Sequence, residues 1–120
     1  MANVIVVKIS GHELDDPAYL AEFAQIVAGL QTAVVVVHGG GKSISSMQES
    51  LGITPRYADG VRITDAPSLR VVEMVLRGSV NTAVVSALVN AGIEAQGMSG
   101  VDRGLVKAEK MLHASEDMGF

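Results

Sequence analysis

The first apolar run, Val4 to Ile9 (VIVVKI), is nearly continuous and β-branched. Such a run predicts a buried parallel strand rather than one with a solvated face. The next segment, DDPAYLAEFAQIVAGL, changes to a helical period, with Leu20, Phe23, Ala24, Val27 and Leu30 on one stripe. Asp15 or Asp16 stands ready as its N-cap and Pro17 fits the first helical position. A second β-branched run, Ala33 to Val37, follows. The chain thus opens strand–helix–strand, a unit expected to cross over right-handed in a parallel sheet. Beyond the glycines at 39–41, Ser43 can cap a short helix with Ile44, Met47 and Leu51 inward and Gly52 closing it.

TPRYADGVRIT reads as a hairpin, because Asp59-Gly60 is a strong two-residue turn signal between strand-prone segments. TDAPSL then restarts a helix with a polar cap and Pro67 near its first turn. Its apolar positions, Leu69, Val72, Val75 and Leu76, run to Gly78, and the pattern resumes from Val80 to Ala91. The expectation is one long helix kinked at Gly78. Gly92 would end it, a short strand would follow in GIEAQGMSG with a turn at Ser99-Gly100, and GLVKAEKM would form a further strand. The pattern predicts a three-layer αβα sandwich around a mainly parallel open sheet, as one domain over residues 1–120.

Composition narrows this picture. Apolar residues make up 48% of the 120, yet there are two Phe, two Tyr and no Trp, so aliphatic side chains must build the core. The net charge of −4 comes without a block of like charges, which argues against a nucleic-acid or membrane-surface role based on bulk electrostatics. The absence of cysteine excludes disulfides and thiolate zinc sites and fits a reducing compartment. The N-terminus lacks signal-peptide character, and no uninterrupted apolar run approaches the ~20 residues that span a bilayer. A cytoplasmic location is the expectation.

Ligands of open parallel sheets bind beyond the carboxyl ends of the strands. The first strand ends in VKISGH and the second in VVHGGGKS. Lys8 interrupts an apolar strand, so its ammonium must either reach water or neutralise an anion. Gly11 would let a backbone N–H approach the same anion. The three glycines before a helix offer unhindered amides and the positive end of a helix dipole, where a plain turn would need fewer. The loop is neither familiar nucleotide motif. A P-loop needs glycine where Val36 stands, and the dinucleotide fingerprint needs its third glycine where Ile44 stands. His38 gains no chemical role from its position, and Lys42 reads as solvated. Arg62 follows the hairpin turn, and its planar fork suits a carboxylate as readily as a surface position. Lys8, the glycines and Arg62 together suit a small acidic molecule and a phosphate. They include no nucleophile, acid–base pair or metal-ligand cluster.

These pieces occur in order along almost the whole chain: VVKISG, VVVHGGG, LGITPRYADGVRITD, VVEMVLRGSVN and GMSGVDRGLVKAEK. In that order the chain resembles the amino-acid kinase superfamily, and within it the branch that phosphorylates an N-acylated glutamate in arginine biosynthesis. The resemblance implies phosphoryl transfer from ATP, with Mg²⁺, to the side-chain carboxylate of N-acetyl-L-glutamate. It implies that Lys8 stabilises the transferring phosphoryl group as a catalytic residue, with Gly11 near the phosphates. Gly40 and Gly41 would present amides to the substrate, Arg62 would pair with its α-carboxylate, and no residue of the chain would hold a metal. It also implies a homodimer or higher homo-oligomer, with dimers formed through the long helix.

Some positions depart from the family pattern. Ser10 replaces a glycine common before Gly11, Thr82 a frequent lysine, and Arg103 a frequent glycine. In the family, a segment like EDMGF is followed by a nucleotide-binding half, so residues 1–120 are expected to be the acyl-amino-acid-binding half. The competing readings are a kinase of lysine biosynthesis acting on a carrier-linked aminoadipate, and a non-catalytic half-domain that binds an acyl amino acid.

Overall fold

The computed structural model describes residues 3–10 and 13–120. Strand β1 (Val4–Ile9) and strand β2 (Ala33–His38) pair in parallel, with Val4 opposite Ala33 and Ile9 opposite His38. Helix α1 (Pro17–Ala28) connects them; Asp16 is the cap, its carboxylate accepting from the Ala18 amide at 2.9 Å. Leu20, Ala24 and Val27 are buried as their spacing requires, while Leu30 falls beyond the helix and is exposed. Helix α2 (Gly41–Ser50) starts directly at the glycines. Its inward residues are Ile44 and Gln48, not Met47 and Leu51, which are exposed. Its N-cap is Gly40 rather than Ser43, whose hydroxyl instead donates to Asp15, and Leu51 lies at the C-cap, past the last turn.

The hairpin pairs β3 (Tyr57–Ala58) with β4 (Val61–Arg62) around Asp59 and Gly60, both at positive φ, as a primed two-residue turn demands. One continuous helix then runs from Ala66 to Asn90. It consists of α3 (Ala66–Glu73), a π-helical stretch (Met74–Val80) and α4 (Asn81–Asn90). Gly78 therefore sits in a widened turn of one helix. The helix is long and apolar enough to cross a bilayer, but Arg70, Glu73 and Arg77 lie within it, and Val71, Val75, Val80, Val84 and Leu88 are buried in the core.

The remaining strand expectations fail. Residues 93–98 show alternating burial at Ile93 and Ala95 but no ladder, and 105–110 are exposed and irregular. A strand needs a neighbouring strand to take its N–H and C=O groups, and among the described residues no strand lies beside these segments; Val106 N–H, for one, turns back to the Gly100 carbonyl. Among the described residues the parallel sheet therefore has two strands. Its helix-facing side (Val7, Ile9, Val34, Val36) packs with α1 and the long helix. The opposite side is bare: Val4, Val6, Val35 and Val37 are 43–67% exposed. The fold is mixed α/β around a parallel sheet, with helices against one face. The C-terminal end returns to the hairpin, where Thr64 bridges Gly119 in parallel and Met118 is buried.

Candidate functional site

The parallel register sets the carboxyl ends of β1 and β2 side by side, Lys8 opposite Val37 and Ile9 opposite His38. Lys8 is exposed, on the bare side of the sheet with Val6 and Val35, and has no carboxylate partner among the described residues. Gly11 lies outside the described residues. At the end of β2 the His38 ring is held twice. Nδ1 lies 3.0 Å from the Gly39 carbonyl, and Nε2 lies 3.1 Å from the Asn81 amide nitrogen. A carbonyl can only accept, so Nδ1 carries the proton and Nε2 accepts from Asn81. His38 thus ties the glycine loop to the start of α4, a structural task that its strand-end position alone did not reveal.

The glycines divide their roles. A side chain at Gly40 would stand 2.7 Å from Leu76 Cδ2, so this glycine lets the loop lie against the long helix. Gly41 opens onto free space. Among the described residues no side chain caps the start of α2, which leaves its first amides for water or a ligand.

Arg62 reaches the same place from the hairpin. Its Nη2 donates to the Gly41 carbonyl at 3.1 Å and to Ser45 Oγ at 2.9 Å, and its Nη1 donates to Gln48 Oε1. The Tyr57 ring covers one face of the guanidinium, 4.9 Å from centroid to Cζ, and its hydroxyl lies 3.1 Å from Ser45 Oγ. Every described partner of Arg62 is neutral. By contrast, Lys42, Arg56, Arg77 and Lys110 face Asp15, Glu116, Asp102 and Asp117. Those pairs are exposed and contribute little.

Gln48, Ser45, Tyr57 and Asn81 were not singled out from sequence. Gln48 had a signal: it lies four residues after Ile44 and so shares its inward stripe, where a glutamine needs partners.

The described donors at the loop, with the exposed Lys8 ammonium, are of the kind that can hold an anion. Among the described residues, no three His, Asp or Glu side chains are grouped to hold a metal ion. Two surface grooves lie elsewhere, one between α1 and α4 near Leu20 and Ala87, the other near Leu51 and Met74. Neither is lined by Lys8, the glycines or Arg62.

A parallel sheet ending in a lysine strand and a glycine loop, with an arginine hairpin folded onto that loop, defines a class: the chain belongs to the amino acid kinase family, which matches residues 3–117. Among its curated relatives is the acetylglutamate kinase of Roseiflexus sp., 50% identical over 115 residues, which are 96% of this chain and 44% of that protein. The acetylglutamate kinase of Chloroflexus aurantiacus is 43% identical over 119 residues, or 99% of this chain and 47% of that one. The chain spans less than half the length of these relatives. Among solved structures, a Streptococcus mutans protein shares the fold at a TM-score of 0.65 and 24% identity, over 83% of this chain and 41% of that one. N-acetylglutamate synthase from Neisseria gonorrhoeae, solved with coenzyme A and N-acetyl-glutamate, aligns at a TM-score of 0.60 and 26% identity, over 73% of this chain and 21% of that one.

Proposed function

We propose that residues 1–120 form the acyl-amino-acid-binding half of an acetylglutamate kinase, a cytoplasmic enzyme of arginine biosynthesis that phosphorylates the side-chain carboxylate of N-acetyl-L-glutamate. The observation that carries this reading is Arg62, a cation with only neutral described partners, fixed beside the uncapped start of α2. Arg62 receives the α-carboxylate, and the amides at Gly40 and Gly41 receive polar groups of the acyl amino acid. Lys8, with no carboxylate partner among the described residues, meets the charge that develops on the transferred phosphoryl group, the setting in which a fixed cation is most effective. Gly11 stands next to those phosphates in this reading. ATP supplies the phosphoryl group and Mg²⁺ shares its charge; both are held mainly by residues beyond these 120. This assignment is supported by the short list of cationic donors at the loop and by the share of the relatives' length that the chain spans. In this reading the enzyme is a homodimer or higher homo-oligomer, with dimers formed through the long helix.

The test is a titration of the purified chain with N-acetyl-L-glutamate followed by amide shifts, with ATP in a parallel titration. Weak binding of the acyl amino acid at Gly41 and Ser45, abolished by Arg62→Ala, is expected. No acyl phosphate should form, measured as hydroxamate with both substrates saturating. Turnover by the chain alone, or tight ATP binding, would overturn the division of labour. No shift at the loop would overturn the substrate.

A further inference from the structure

The completely buried side chain of Gln48 stands in the middle of a polar relay that begins at the site and ends on the long helix. Gln48 Oε1 accepts from Arg62 Nη1, and Gln48 Nε2 donates to Ser68 Oγ at 2.9 Å. Ser68, itself buried, also donates to Asp65 through its amide, at 3.0 Å. The direction of the relay is set at its near end. A guanidinium only donates, so Gln48 must turn Oε1 to Arg62, which leaves Nε2 to donate to the Ser68 oxygen. The amide of Gln48 cannot turn round without setting its NH₂ against the guanidinium.

Burying an amide is costly unless both its ends are matched, and a leucine would fill this inward position of α2 at no such cost. A glutamate would hold Arg62 more strongly, but would neutralise it. Glutamine alone fixes the fork and leaves the positive charge in place. We propose that Gln48 is a positioning residue for the anion site: it locks the orientation of the Arg62 guanidinium through a neutral acceptor and so keeps that charge uncommitted for a carboxylate. The proposal rests on the reading of Arg62 as the receptor of the acyl amino acid's α-carboxylate.

Two measurements separate its parts. The first is the order of the Arg62 guanidinium, followed by ¹⁵N relaxation and hydrogen exchange of its Nε–H and Nη–H groups without ligand. Gln48→Leu should free the group while the chain stays folded, and Ser68→Ala should do so partly by releasing the amide. An equally ordered Arg62 in both variants would overturn the positioning role. If Gln48→Leu fails to fold, Ser68→Ala and Gln48→Met carry the same test. The second measurement is N-acetyl-L-glutamate affinity. Gln48→Glu should keep Arg62 ordered, yet weaken binding about tenfold or more, because a buried ion pair must be broken to admit the ligand. Parent-like affinity in Gln48→Glu would overturn the claim that neutrality matters. If the parent chain binds no N-acetyl-L-glutamate, the substrate reading fails with the charge claim, while guanidinium order still decides whether Gln48 positions Arg62.

Discussion

Arg62 donates to a carbonyl, a hydroxyl and an amide oxygen, all on α2. In an enzyme of its relatives' full length, Arg62→Ala should raise the Michaelis constant for the acyl amino acid and spare that for ATP. The loss should be roughly 2–5 kcal/mol, because the α-carboxylate stays buried without its partner. Arg62→Lys should recover part of it, since a point charge cannot reproduce the fork. Equal weakening for both substrates in steady-state kinetics would contradict the assignment. Lys8→Ala is expected to act differently. The side chain is exposed, with no described partner, so the melting temperature should stay put while turnover falls about 10²–10³-fold. These two residues were legible because each breaks a pattern: a cation in a β-branched strand, an arginine after a tight turn. Gln48 was passed over despite its place four residues after Ile44, since a polar residue on a helix is read by default as facing water.

At the scale of the elements, the segment from Thr64 to Ser68 turns the hairpin into the long helix, and Asp65 caps that helix through the Ser68 amide. The hydroxyl and amide of Ser68 hold the Asp65 carboxyl below its usual range. Asp102, receiving the Ser99 amide and hydroxyl, and Asp117, facing Lys110 and the Gly119 amide, are lowered as well. A depressed carboxyl contributes stability that is present above its unfolded value near 3.8 and lost as pH falls through the folded value. Melting temperature should therefore hold at neutral pH and drop below about pH 4, and Asp65→Asn should flatten part of that drop. Gly119 is a second checkpoint. It sits at φ 83°, and any side chain there would overlap the Thr64 backbone. Gly119→Ala should detach the C-terminal end from the hairpin, seen as faster hydrogen exchange at the Thr64 and Phe120 amides, which pair there with Met118 and Thr64 carbonyls. Helices and hairpin could be read from the sequence because caps, periods and turn residues are local. The two failed strands could not, because β-structure depends on a neighbour that no local pattern specifies.

At the scale of the whole molecule, the radius of gyration is 16.1 Å, against roughly 13–14 Å for a compact domain of this length. The bare face of β1 and β2 makes the chain prone to associate. Val6 and Val35 are register partners on that face, so Val6→Lys combined with Val35→Glu would place an opposite-charge pair there. The double variant should sediment closer to a monomer than the parent chain does. Apolar runs announced a sheet with two covered faces, but only the described helix-facing side is covered. The long helix also carries a consequence in its numbering. Its core residues advance from Val71 to Val75, then to Val80, Val84 and Leu88: steps of four, five, four and four. The step of five spans the π-helical stretch, where an unbroken α-helix would have turned Ser79 inward. The chain thus carries one residue more than an α-helix with this inner stripe would need, and the surplus sets the phase of everything after it. Gly78→Ala keeps the count, meets nothing within 4 Å, and should stabilise the helix by up to about 1 kcal/mol, visible in the melting temperature. Deleting Gly78 should do the reverse despite yielding a more regular helix. It would rotate α4 by about 100°, swing Asn81 away from His38, and turn Val84 and Leu88 out of the core.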